Sequence, residues 1–162
     1  MFSAIMKFTD EQPVLFAGVM AALILGIAFA SQIFGGLAPC ELCWWQRYPY
    51  MGAMGVALVG TAVQAIPQKF VLLLLALIFL GDAGIAGFHV GVEQRWWEGL
   101  STCSSFVELT DNVNDALDAI MNAPIVRCDE VAWSLFGISM AGYNLIAALG
   151  MTIFCIKKAK KA

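Results

Sequence analysis

Read on its own, the sequence predicts an all-α integral membrane protein, a bundle of four transmembrane helices. Three observations carry this. Charged residues make up only 13% of the 162 residues, against about 25% in an ordinary soluble domain. Apolar residues make up 60% and fall into four runs of spanning length. The lysines collect at those ends of the runs that share one side. The shortage of charge excludes a disordered tail or an ordinary soluble enzyme, and a net charge of −3 is too small to imply a nucleic-acid partner. The length suits one membrane domain over residues 1–162, expected as a monomer in a lipid bilayer.

The first helix is expected over about 14–34, where no charge occurs and Ser31 and Gln32 are the only strongly polar residues. Ala28-Phe29-Ala30 resembles a signal-peptidase site, but Asp10 and Glu11 precede the run where a signal peptide wants positive charge, so an uncleaved helix is expected. The second is expected over about 44–66, with Trp44 and Trp45 at the interface and Pro49 freeing the carbonyl of Trp45, so that a bend is expected. The third, about 70–92, carries Asp82 and His89 and a stripe of Gly84, Gly87 and Gly91 that would permit close helix contact. The fourth, about 133–156, has no charge and contains Cys155, read as a small apolar filler. At about 1.5 Å per residue each can cross about 30 Å of hydrocarbon.

Four crossings put both termini on one side. Lys157, Lys158, Lys160 and Lys161 crowd the tail at 157–162, with Lys7 and Lys69 on the same side, whereas Arg95 and Arg127 lie among eight acids in the loop at 93–132. Lysine and arginine mark the cytoplasmic side, so the termini are expected there, and the loops at 35–43 and 93–132 face outward. Between Thr110 and Ala123 the apolar residues Val113, Ala116, Leu117, Ile120 and Met121 recur at helical spacing. They predict a short amphipathic helix in the second outer loop, on the membrane surface or as a cap on the bundle.

This topology sorts the cysteines. Cys40, Cys43, Cys103 and Cys128 fall on the outer side and Cys155 near the inner end of the fourth helix. Outside a bacterial inner membrane disulfides persist. Cys40-Glu41-Leu42-Cys43 is a C-x-x-C where a loop ending in Pro39 turns into a helix. A helix N-terminus offers backbone N–H groups and a positive dipole end that favour thiolate. Arg47, four residues past Cys43 and seven past Cys40, can share that face and stabilise the thiolate further. Static disulfides that only brace the loops, a four-cysteine zinc site and an arginine that merely snorkels to the interface compete with this reading. The 24 residues between Cys103 and Cys128 argue against zinc, and no metal is expected.

Leu37-Ala38-Pro39-Cys40-Glu41-Leu42-Cys43, followed by Gln46-Arg47-Tyr48, resembles the first outer loop of the DsbB family of disulfide bond formation proteins. The stretch from Cys128 through Trp133, Gly137 and Met140 is similar to the start of that family's fourth helix. The likeness covers nearly the whole chain. It implies a quinone-dependent protein-disulfide oxidoreductase of the bacterial inner membrane that reoxidises a periplasmic, DsbA-like thiol oxidase of thioredoxin fold and passes the electrons to ubiquinone or menaquinone. By the same resemblance Cys103 is the sulfur attacked by the reduced partner, Cys128 its mate, Cys40 the sulfur that exchanges with the loop pair, and Cys43 the one facing quinone. Arg47 would support the Cys43 thiolate and the reduced quinone.

The chemistry fits that assignment. A partner with a potential of about −120 mV is itself a strong oxidant, so its reoxidation needs an acceptor stronger than an ordinary structural disulfide, and quinone lives in lipid. Quinone reduction takes up two protons. By the family resemblance His89, the only histidine, is expected near the quinone as ligand or proton donor, a hydrogen-bonded interior histidine being the equal alternative, and Met140 resembles a quinone-adjacent position, with packing as its alternative. Asp82, seven residues before His89, shares its helical face about 10 Å deeper. It is read as a structural carboxyl bonded to Asn144 or Tyr143, the rival role being proton supply to His89. Two other functions were weighed. In quinone reductases similar to vitamin K epoxide reductase the loop pair precedes the C-x-x-C, whereas here it follows. A non-catalytic, disulfide-braced membrane protein would have no need of Arg47.

Overall fold

The computed structural model describes residues 2–63, 65–99 and 127–162, with side chains from residue 7 onward. Cys103 and the expected amphipathic segment at 110–123 lie outside the described residues. The architecture is mostly helical: α1 (Phe2–Glu11), α2 (Pro13–Gly35), α3 (Glu41–Ala62), α4 (Gln68–Glu93), a two-stranded hairpin of β1 (Ser134–Leu135) and β2 (Ile138–Ser139), and α5 (Met140–Ala159).

Three helices, α2, α4 and α5, are long and apolar enough to cross a membrane. The expectation of four such runs is met only in part. α3 has 22 residues, but Glu41, Gln46 and Arg47 occupy its first two turns and lower its hydropathy. In the bundle α4 packs along α5 and α3 packs against both α2 and α4.

Each boundary has a local cause. Pro13 starts α2, where its missing N–H is one the first turn would leave unpaired anyway. Gly36, at φ 64°, ends it in the left-handed conformation while the backbone N–H groups of Gly36 and Leu37 close on the Ser31 carbonyl. Cys40 caps α3, which therefore begins three residues before the expected interface tryptophans, and the helix continues through Pro49. The expected fourth helix at 133–156 begins at Met140 instead. Phe136 (φ 51°) and Gly137 (φ 78°) form a tight turn that pairs Leu135 with Ile138, and Ser139 then caps α5 by accepting from the Gly142 N–H at 3.1 Å.

The polarity of the bundle is inverted. Leu23, Ile27, Leu58, Leu77, Ile146 and Ile153 point outward, while Gln46, Arg47, Asp82 and His89 are buried. The interior is built from small and medium side chains, with Ala17, Ala21, Ala53 and Ala57 drawing α2 and α3 together around Leu72, Leu75 and Phe79. Cys155 is fully buried in the same core. Close helix approaches are at Gly18, where a Cβ would stand 2.7 Å from the Cβ of Ala57, and at Gly60, where it would stand 2.5 Å from Cγ1 of Val71. The glycine stripe on α4 does not serve this purpose. Gly84 faces open space, and Gly91 is crowded by the ring of Trp97 from the turn after its own helix.

Candidate functional site

The site forms where the N-termini of α3 and α5 and the C-terminus of α4 meet the segment at 127–133. Cys40, in extended backbone before α3, turns its sulfur back to accept from the Cys43 N–H at 3.3 Å. Its Sγ lies 2.9 Å from that of Cys43 and 3.7 Å from Nε2 of His89 on α4. Cys128 packs against Cys40, Leu42 and Val92. Its sulfur is electrostatically coupled to Cys40 and to the backbone N–H groups of Glu41 and Leu42.

The helix N-terminus therefore serves a second sulfur, Cys128, besides the Cys40 sulfur that the sequence places there. Hydrogen bonding to Cys40, then to the first N–H groups of α3, draws the Cys128 thiol down from 9.0 to about 6. Cys40, bonded to Cys128 and Cys43 and buried, is held far above its ordinary value.

Arg47 does not snorkel. Its guanidinium is buried between the rings of Phe29 and Trp44, 4.6 and 4.7 Å from their centroids. It donates to Gln32 Oε1 at 2.7 Å and to the Ala28 carbonyl at 3.2 Å, both on α2. The charge so fixed lies close enough to act on both sulfurs of the C-x-x-C.

Behind His89 runs a chain of buried polar groups from three helices. Gln46 Nε2 is 2.7 Å from His89 Nδ1, Gln46 Oε1 accepts from Asn144 Nδ2 at 2.8 Å, and Asn144 Nδ2 also reaches Asp82 Oδ2 at 3.0 Å. The Tyr50 hydroxyl donates to Asn144 Oδ1 at 2.5 Å. Asp82 is thus bonded to Asn144, the structural partner expected, and not to Tyr143, whose hydroxyl donates to the Leu135 carbonyl at 3.0 Å. Glu93, one turn past His89 with Oε1 4.0 Å from Nε2, accepts from the Ser139 hydroxyl.

Cys40, Cys43, Arg47, His89 and Met140 all open onto one cavity of about 450 Å³ between α2, α3 and α5. It is walled on the α2 side by Ile24, Leu25 and Ala28, a size and lining suited to an apolar ligand with a polar head. A second cleft, of about 480 Å³, opens beside Cys128 between Arg95, Trp96, Trp97 and Asp129. The donor atoms of Cys40, Cys43 and His89 lie within 4.8 Å of one another, the one such group of possible metal ligands among the described residues.

Sequence reasoning missed Gln46 and Glu93. Gln46 stands between Trp45 and Arg47 and passes for an interface residue. Its signal was position, since Leu42, Gln46 and Tyr50 follow one another at four-residue spacing on a single face.

A family model described as disulfide bond formation protein DsbB matches residues 10–157. A disulfide bond formation protein B of Marinobacter nauticus is 30% identical over 147 residues, covering 83% of this chain and 86% of the relative. Another, of Methylobacillus flagellatus, is 28% identical and covers 87% and 88%. A protein of Rickettsia prowazekii described as uncharacterized protein RP370 is 24% identical and covers 83% and 79%. No solved structure matches the chain significantly.

Proposed function

Because the chain belongs to the DsbB family of membrane proteins of disulfide bond formation, we propose that it is a quinone-dependent thiol oxidase that reoxidises a DsbA-like partner. The observation that carries this reading is the single cavity shared by the C-x-x-C sulfurs, Arg47, His89 and Met140. In this reading the partner's thiolate attacks Cys103 of a Cys103–Cys128 disulfide and Cys128 leaves as the thiolate. The α3 N-terminus stabilises that leaving group. Cys128 then attacks Cys40 of the Cys40–Cys43 disulfide and frees Cys43 beside the cavity. The partner's second thiolate resolves its mixed disulfide and the partner leaves oxidised; the freed Cys103 retakes Cys128, which returns Cys40 as the thiol that would re-form its bond to Cys43 as the electron pair passes to the acceptor.

A quinone bound in the cavity supplies the acceptor for the electron pair and for two protons. The chain's own part is to hold and polarise it: Arg47 offers a desolvated positive charge, His89 a ring N–H, and the α2 wall excludes water. Buried charge of this kind acts strongly because the surroundings screen it little.

The same reading makes α3 the fourth span, with its polar residues turned into the bundle and Tyr48, Leu58 and Val59 turned outward. It sets the protein in the bacterial inner membrane with both termini cytoplasmic and the redox loops periplasmic. The test is turnover. Purified protein mixed with reduced partner and a soluble quinone analogue should consume quinone absorbance, and Cys43→Ser and Cys103→Ser should abolish the loss. No turnover with any quinone would sink the proposal.

A further inference from the structure

We propose that Gln46 and Asn144 are positioning residues that lock the His89 ring in the tautomer with its proton on Nε2, aimed at Cys40 and the cavity. The lock can be read from one fixed point. The Leu42 carbonyl can only accept, and it lies 3.1 Å from the Gln46 amide, so the group facing it is Nε2. The second proton of that amide nitrogen then points at His89 Nδ1, 2.7 Å away. A proton on Nδ1 would set N–H against N–H. Nδ1 is therefore the bare nitrogen and Nε2 carries the hydrogen.

The surroundings of Nε2 agree. Two acceptors face it: the Cys40 sulfur at 3.7 Å and Glu93 Oε1 at 4.0 Å. At the far end the Gln46 oxygen is occupied by Asn144 Nδ2, whose other proton goes to Asp82, while the Tyr50 hydroxyl fills Asn144 Oδ1. Neither amide can turn over without setting like groups face to face. Asp82 and Tyr50 are thus the outer anchors of the lock.

The tautomer has two effects. It presents a proton donor, not a lone pair, to the place where negative charge collects on sulfur and on the bound acceptor. It also withholds the third ligand from a soft metal ion. Reduced Cys40 and Cys43 with a bare His89 nitrogen would form a three-ligand zinc set within 4.8 Å, whereas a protonated Nε2 cannot ligate. The kinetic effect rests on the quinone-oxidase reading, but the tautomer itself does not.

The single histidine makes the test direct. Full-length protein labelled with ¹⁵N-histidine gives one pair of ring signals, and the proton-bearing nitrogen is expected to be Nε2. Gln46→Glu replaces the donor by an acceptor and should move the proton to Nδ1. Added Zn²⁺ should then shift the ring signals of the reduced variant and leave those of the reduced wild type unchanged. Quinone reduction should fall at least about tenfold, a modest part of the about 10²–10⁴ that a well-placed general acid supplies, with thiol exchange with the partner unchanged. Gln46→Met, which removes the donor without adding an acceptor, should give a mixture of tautomers. A wild-type ring protonated on Nδ1 overturns the proposal whether or not any variant folds, and so does a Gln46→Glu ring identical to wild type. If the tautomer moves as expected but the wild type never turns over quinone, the lock stands and the oxidase reading falls.

Discussion

Cys128 is the residue whose surroundings differ most from expectation. The C-x-x-C adjoins the helix in sequence and Cys40 accepts from the Cys43 N–H, but the N–H groups of Glu41 and Leu42 act on a sulfur 87 residues beyond Glu41. No local pattern encodes that approach, which depends on how the segment at 127–133 folds back over the bundle. A depressed thiol holds its charge above its own pKa, so Cys128 should alkylate at a nearly constant rate above pH about 6 and slow as pH falls through that value. An ordinary thiol would keep accelerating toward 9.0. Mass-spectrometric alkylation profiles of the reduced protein, read at Cys128 and Cys40, check this, and Cys40 should stay unreactive throughout.

Arg47 was legible by its spacing from the cysteines, but its anchors on α2 were not, because Ala28 and Gln32 lie nineteen and fifteen residues earlier. Lysine keeps the charge but cannot fill a planar slot between two rings while donating in a fork. Arg47→Lys should therefore slow quinone reduction about tenfold, the loss of one charge-assisted hydrogen bond, and leave exchange with the partner intact. Stopped-flow measurement of the two half-reactions separates these outcomes.

Elements were legible where a long apolar run met a clear punctuation mark. α2 between Pro13 and the turn at Gly36 is such a case, and so is most of α4. The fourth run was not, because Trp133 to Ser139 is as free of charge as the helix that follows. Hydropathy cannot distinguish a hairpin from a helix when both are apolar, and only Gly137 hinted at the turn. Glycine spacing misled in the same way. The stripe at Gly84, Gly87 and Gly91 has the period of a helix contact, while the glycines pressed against another helix are Gly18, opposite Ala57, and Gly60, opposite Val71. Gly18→Ala sets Cβ against Cβ with no rotamer to yield and should destabilise the bundle by about 1–3 kcal/mol. Gly84→Ala meets nothing within 4 Å and should be neutral, or stabilising by up to about 1 kcal/mol through lower chain entropy. Thermal unfolding in one detergent, followed by circular dichroism, orders the two variants.

At the scale of the whole molecule the inverted polarity was legible from composition, since a chain so poor in charge has to keep its few polar groups inside if lipid surrounds it. How those groups join was not, because the chain from His89 through Gln46 and Asn144 to Asp82 is written on three helices. The termini meet at the end remote from Cys40, Cys43 and Cys128, where Lys158 of α5 bonds Asp10 of α1. That pairing agrees with an even number of crossings. Reporters fused to the two ends should both prove inaccessible to protease added outside intact spheroplasts, while thiol reagents too large to cross the membrane should reach the outer cysteines and not Cys155. Opposite exposure of the two ends would require an odd number of spans.

The position of Cys40 between Cys43 and Cys128 has a thermodynamic consequence. Whichever mate Cys40 bonds, the displaced sulfur is left in a cationic setting, Cys128 on the α3 N-terminus or Cys43 near Arg47. Either disulfide isomer thus releases a stabilised thiolate, which favours exchange in both directions. Under the proposed function the exchange runs freely in either direction, and its net flow is set at the two ends, by how reduced the incoming partner is and how oxidised the lipid pool.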